Sequence, residues 1–270
     1  MGKVLVVTSG KGGVGKTTSS AALGAALAKT GDKVALVDFD VGLRNLDLIL
    51  GAERRVVFDF INVIQGHAQL PQALIRDKRL ETLYLLAASQ TRDKDALTEE
   101  GVADVIGMLK KTFDWVICDS PAGIERGAML AMRHADTAVV VTNPEVSSVR
   151  DSDRIIGMLD SKTLRAEQGE PIEKHVLITR YDAARAARGE MLSIEDVLDI
   201  LSLPLIGIVP ESTSVLQASN VGAPITLAEP NSAAARAYAD AARRLKGETV
   251  EMTIPTSKRG LFGGLFRRAA

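Results

Sequence analysis

Ser9-Gly10-Lys11-Gly12-Gly13-Val14-Gly15-Lys16-Thr17-Thr18 decides how this chain is read. Residues 10 to 17 match Gly-x-x-x-x-Gly-Lys-Thr, a pattern in which the N–H groups of a glycine-rich turn and of a helix N-terminus wrap nucleotide phosphates. Glycine is required because a side chain would block so close a turn. The flanks fit the pattern. Lys3-Val4-Leu5-Val6-Val7-Thr8 is the apolar, β-branched run of a buried strand, and residues 17 to 29 are alanine-rich and helical. In this reading Lys16 reaches the β- and γ-phosphates and the Thr17 hydroxyl sits on Mg²⁺. The amides of Gly13, Gly15, Lys16, Thr17 and Thr18 hold the remaining oxygens, with Gly12 and Val14 completing the loop.

Outward from the loop, strands are expected at 3 to 8, 33 to 38, 83 to 88, 115 to 119, 137 to 142, 175 to 180 and 204 to 209. Most of these are continuous apolar runs, the mark of strands covered on both faces. Helices are expected at 16 to 30, 58 to 66, 95 to 112, 124 to 135, 147 to 160, 193 to 202, 212 to 220 and 232 to 246. Thr98 and Ser193, each followed by acids, read as helix starts. The alternation predicts an α/β fold, a three-layer doubly wound sheet that is mostly parallel, with its ligand at the carboxyl ends of the strands.

Two acidic sites fall at those ends. Asp38-Phe39-Asp40 places two carboxylates on one side of the end of the second strand, where they can serve Mg²⁺ and an attacking water. Asp119-Ser120-Pro121-Ala122-Gly123 closes another apolar strand with an aspartate, as a Walker B motif does, and puts a glycine within reach of a γ-phosphate. Lys11 is one lysine more than a phosphate loop needs.

That extra lysine makes the loop resemble the deviant Walker A ATPase family, which includes the ParA, MinD, arsenical-pump and nitrogenase iron proteins. The segments 38 to 51, 53 to 66, 88 to 95 and 143 to 154 extend the resemblance to the division-site branch of that family, over residues 3 to about 245 and again at the tail. The resemblance implies that Lys11 crosses a dimer interface to the partner's ATP, that Asp40 acts on the attacking water, and that Asp38 and Asp119 support metal and switch geometry. It further implies adenine contacts from Arg180 and Pro210, within Thr179-Arg180 and Val209-Pro210-Glu211. A partner face is expected around Arg44, Asn45, Asp151 and Asp153. The implied partners are a second copy joined through ATP, the septum inhibitor MinC, the activator MinE and anionic phospholipid. Nothing is carried over onto residues 181 to 190, where the likeness lapses.

The chain has 270 residues, 46% hydrophobic and 25% charged, with one cysteine, Cys118. One cysteine excludes a disulfide framework and any iron–sulfur or zinc site built from cysteines of one chain, which removes the nitrogenase iron protein. No apolar run approaches the ~18 residues of a spanning helix, and none reads as a signal peptide. The start Met1-Gly2 imitates a myristoylation signal but carries Val6 where a hydroxyl is required. The expected location is the cytoplasm and the inner face of the cytoplasmic membrane.

Residues 1 to 246 read as the ATPase body, 247 to 257 as a flexible linker and 258 to 270 as an amphipathic membrane-targeting helix. On a helix Leu261, Phe262, Leu265 and Phe266 share an arc of about 140°, opposite three glycines. Lys258, Arg259, Arg267 and Arg268 supply a basic fringe suited to anionic lipid. Glycine costs a helix roughly 1 kcal/mol against alanine, so one tail binds weakly and two on a dimer bind firmly. Removing the tail's 4 cations from 33 leaves 29 against 34 acids, an acidic body with a basic tail. That balance argues against nucleic acid, the partner of a DNA-partitioning ParA-type ATPase. A second alternative, a small-molecule phosphotransferase, would need neither the tail nor an activator.

Overall fold

Adjacent residues along each central strand feed opposite cores. Leu5 and Val7 join one apolar cluster while Val4 and Val6 join another; Ile117 and Cys118 divide the same way, as do Val139 and Val140. Strand side chains alternate faces, so a strand without polar positions must be covered twice.

The computed structural model describes residues 1–90 and 96–256. The expected helix start at residue 95 and the whole tail lie outside the described residues. In chain order the elements are β1 (Lys3–Thr8), α1 (Lys16–Lys29), β2 (Val34–Asp38), α2 (Leu46–Ile49), α3 (Phe60–Ile64), α4 (Leu70–Ala73), β3 (Ile75–Arg76), β4 (Leu83–Leu86), α5 (Glu99–Lys110), β5 (Trp115–Asp119) and α6 (Arg126–Arg133). They continue with β6 (Thr137–Thr142), α7 (Val146–Lys162), α8 (Leu164–Glu167), β7 (Glu173–Tyr181), α9 (Ala183–Ala187), α10 (Ile194–Leu201), β8 (Leu205–Pro210), α11 (Thr213–Asn220), α12 (Ile225–Ala228) and α13 (Ala233–Leu245).

The strand order is β3-β4-β2-β5-β1-β6-β7-β8. All described pairings are parallel except β3 with β4. From β1 the chain goes to β2 on one side; from β6 it goes to β7 and β8 on the other. Doubly wound sheets bind ligands at such a reversal, and the loop after β1 opens there. The expected fold class and all seven strands are present. The expectation missed β3, a two-residue antiparallel edge strand, and the short helices α2, α4, α8, α9 and α12, which are too brief to show a 3.6-residue period.

The two anticipated helix starts are capped as their residues suggest. The Thr98 side chain accepts from Gly101 N–H, and Ser193 forms a reciprocal capping box with Asp196. α1 is buried nearly all round, and a Cβ on its Gly24 would lie 2.6 Å from Leu36 Cδ2, so helix and sheet touch there because the side chain is missing. Among the described residues no helix is long and apolar enough to cross a membrane.

The start of the expected linker is tied to the body. The Arg244 guanidinium donates to the carbonyls of Ile206, Val250 and Glu251 at 2.8, 3.1 and 2.7 Å, and Met252 packs on the cluster around β7 and α10.

Candidate nucleotide site

The turn from β1 to α1 leaves a helix end that the protein does not cap. Gly15 is the N-cap at φ 96°, it offers no side-chain cap to the first turn, and no acid lies within that turn. A helix N-terminus has orphan N–H groups and a positive dipole end, so this one is open to an anion. Gly13 at φ 77° shapes the other half of the loop. Both backbone conformations need glycine.

Lys16 is buried beside this end, and its Nζ donates to Ser9 Oγ at 2.9 Å. Burial pulls its pKa down, while the Asp119 and Asp40 carboxylates oppose the shift. Asp38 and Asp119 are neighbours in register across β2 and β5, each only 1% exposed. Burial pushes Asp119 up to about 6, against the pull of hydrogen bonds from Ser20 and Thr17. Burial, aided by Asp119, also raises Asp38 well above the ordinary range. Two desolvated carboxylates facing each other favour either a shared proton or an added cation.

These acids do not form a cage. Among the described residues no three His, Cys, Asp or Glu side chains converge as metal ligands, so the expected set of Thr17, Asp38, Asp40 and Asp119 does not close on one ion by itself. Asp38 instead braces the chain after β2, accepting from the N–H of Asp40 at 2.8 Å and of Leu46 at 3.3 Å. What remains is the Thr17 hydroxyl, near enough to Asp119 to oppose the rise of its pKa. That donor set suits a hard cation that keeps waters and takes its other oxygens from phosphates, as Mg²⁺ does.

A cleft of about 710 Å³ opens in front of the loop. It is lined by Gly12, Gly13, Gly15, Lys16, Thr17 and Thr18 on one wall and by Asp40, Asn45, Ser120 and Glu125 on the other. Beyond the loop a second cavity of about 340 Å³ is lined by Val14, Thr179, Arg180, Val209, Pro210 and Glu211, the two segments expected at a base. Leu216 of α11 and Tyr238 of α13 also line it, and the sequence did not point to either. The Tyr238 hydroxyl bonds Ser19 of α1 at 3.0 Å, and burial raises its pKa to about 12. A lone tyrosine in an alanine-rich helix was the available signal. Arg180 lines both cavities from a left-handed φ of 53°, a strained conformation for a residue with a Cβ.

Three of the expected residues have partners within the chain. Lys11 does not extend into solvent: it donates to Glu145 Oε2 at 3.2 Å and Ser147 Oγ at 2.9 Å, at the start of α7. This pair is partly exposed, so releasing it costs at most about 1 kcal/mol. Arg44 folds back on buried Asp47 at 2.7 Å and shows little of its side chain, whereas Asn45 faces the cleft. The Gly123 N–H is used within the fold, donating to Ser9 O at 3.3 Å. Asp153 is exposed, and half-buried Asp151 lies against the loop: a Cβ on Gly10 would fall 2.2 Å from the Asp151 carbonyl.

Residues 5–225 match the CobQ/CobB/MinD/ParA nucleotide binding domain family. The septum site-determining protein MinD of Escherichia coli K12 is 60% identical over 98% of this chain and 100% of its own length. The chain belongs to the MinD family. Among solved MinD-family structures, the MinC:MinD cell division protein complex of Aquifex aeolicus matches with a TM-score of 0.84 and 43% identity, covering 93% of this chain and 99% of the other. MinD from Pyrococcus horikoshii, complexed with Mg-ADP, matches at 0.80 and 30% identity, covering 91% and 96%.

Proposed function

We propose that this MinD-family chain is an ATP-hydrolysing switch for placing the division site. With ATP and Mg²⁺ two copies join, bind the inner face of the cytoplasmic membrane through residues 258 to 270, and recruit MinC. Hydrolysis stimulated by MinE then releases them.

The observation that carries the reading is the uncapped α1 N-terminus that follows left-handed Gly13 and Gly15, with buried Lys16 and two buried aspartates beside it. In the proposal Lys16 and the amides of residues 13 to 18 hold the phosphates, and Thr17 with Asp119 orients Mg²⁺. Asp40 positions water, and the cavity at Arg180 and Pro210 holds the base. Bound Mg²⁺ and ATP supply the phosphoanhydride to be cleaved and the charge that draws a partner's Lys11 across. Lys11 must first leave Glu145 and Ser147. MinC as partner is supported by the Aquifex complex of a relative 43% identical to this chain.

Co-sedimentation with phosphatidylglycerol vesicles in ATP, ADP or no nucleotide, using the full chain, a chain ending at Ser257 and Phe262→Glu, tests the proposal. Binding by the full chain in ATP alone, lost in both variants, is expected. Binding without nucleotide, or by the shortened chain, would defeat the membrane switch. DNA retention in ATP would revive the partitioning alternative.

A further inference from the structure

A buried hydroxyl from β7 holds the phosphate loop from behind. Thr179 is 3% exposed, and its Oγ1 donates to the carbonyl of Val14 at 2.7 Å; the Asn143 amide oxygen and Thr142 carbonyl lie farther off, at 3.1 and 3.3 Å. The hydroxyl has one proton, and Val14 is its shortest contact. Thr142, Asn143 and Ser148 bond to one another behind it, which fixes the hydroxyl's position at the ends of β6 and β7.

The consequence follows from the planarity of the peptide. The C=O of Val14 and the N–H of Gly15 belong to one trans unit and point in opposite directions. Anchoring the carbonyl toward β7 therefore aims the Gly15 N–H away from β7, and Gly15 lines both cavities of the site. The Val14 side chain is fully buried, but Gly15 accepts almost any φ, so this peptide can flip if nothing holds it. Flipped, it would turn a carbonyl oxygen toward bound phosphates in place of a donor.

We propose that Thr179 is a positioning residue whose hydroxyl fixes the orientation of the Val14–Gly15 peptide and so aims one of the phosphate-binding amides. This inference rests on the nucleotide-binding reading above. It gives Thr179 a role distinct from contact with a base, the part expected of its segment.

The test is titration of the full chain with N-methylanthraniloyl ATP and ADP, with thermal unfolding alongside. Thr179→Val, which keeps the volume and loses the hydroxyl, is expected to weaken both nucleotides about tenfold, about 1.4 kcal/mol. Thr179→Ser, which keeps the hydroxyl, is expected to stay within about threefold of the parent. If Thr179→Val does not fold, Thr179→Ala against Thr179→Ser makes the same comparison, since that pair differs by the hydroxyl alone. Undiminished binding by the hydroxyl-free variant overturns the inference and leaves the function standing. So does a serine variant as weak as valine. A parent chain that binds neither nucleotide overturns both.

Discussion

Asp40 shows how a residue's task at this site is set by its neighbours. Asp38 spends its oxygens on backbone N–H groups, whereas Asp40 lines the cleft in front of the loop. Asp40→Ala is therefore expected to keep nucleotide affinity and to lower turnover about 100-fold or more, the usual worth of a positioned acid–base group. Phosphate release at the parent rate in the presence of vesicles and activator would end that assignment. His134, at the end of α6, is a different kind of titrating group. Burial first, and Arg133 second, hold its imidazole below the ordinary 6.5, and its Nε2 is buried without a hydrogen-bond partner. The unfolded chain binds that proton more tightly than the folded one, so the stabilising contribution is full above pH 6.5 and is lost as pH falls below it. Melting curves from pH 7.5 to 5.5 should fall less steeply for His134→Gln than for the parent. Equal slopes would rule the ring out as the source.

At the scale of elements, the phosphate loop and α7 meet without a gap. Gly10 rests on the backbone of Asp151, and Lys11 reaches the start of the same helix. α7 also carries Asp153, exposed to solvent, so a partner on that helix would touch an element already in contact with the nucleotide loop. Gly10→Ala must displace backbone, not a flexible side chain. It is expected to cost about 1–3 kcal/mol and to weaken nucleotide binding as well. Urea unfolding checks the first and nucleotide titration the second; an unchanged midpoint would mean that loop and helix separate freely. A second junction joins α2 to α11: the Arg79 guanidinium forks between the carbonyls of Leu50 and Gly222, and Gly51 and Gly222 approach too closely for any Cβ. The segments that follow α2 and α11 are thus braced together.

For the whole molecule the informative contrast is between what Lys11 does here and what the family resemblance expects of it. A partly exposed ion pair with Glu145 is weak, and ATP on a second copy offers a larger opposite charge. Lys11→Ala is expected to abolish ATP-dependent dimers in multi-angle light scattering while lowering the monomer's stability by less than about 1 kcal/mol. Dimers that persist with ATP would show that the lysine does not cross. In the proposed cycle dimerisation matters because two weak tails would act together through effective concentration. The Arg244 guanidinium holds the carbonyls of Val250 and Glu251, so the stretch that follows α13 begins tied to the body.

Much of this was legible in the amino-acid order because the signals are local. Continuous apolar runs gave seven strands, Thr98 and Ser193 gave helix starts, and the loop and the strand-end aspartates fall where their spacing requires. β3 escaped because two residues carry no pattern, and its pairing with β4 is made by the sheet. The remainder depends on contacts between distant positions. Thr179 and Val14 are 165 residues apart, Lys11 and Ser147 are 136 apart, and Tyr238 and Ser19 are 219 apart. Each is one hydrogen bond, too small to leave a periodic trace in sequence and fixed only once the sheet brings its strand ends together. The sequence by itself determined the strands, the loop and the kind of ligand it can hold. The tertiary structure alone decided which way the loop's peptides face, where Lys11 rests and what walls the cavity at Arg180 and Pro210, because burial and distance exist only in the folded chain.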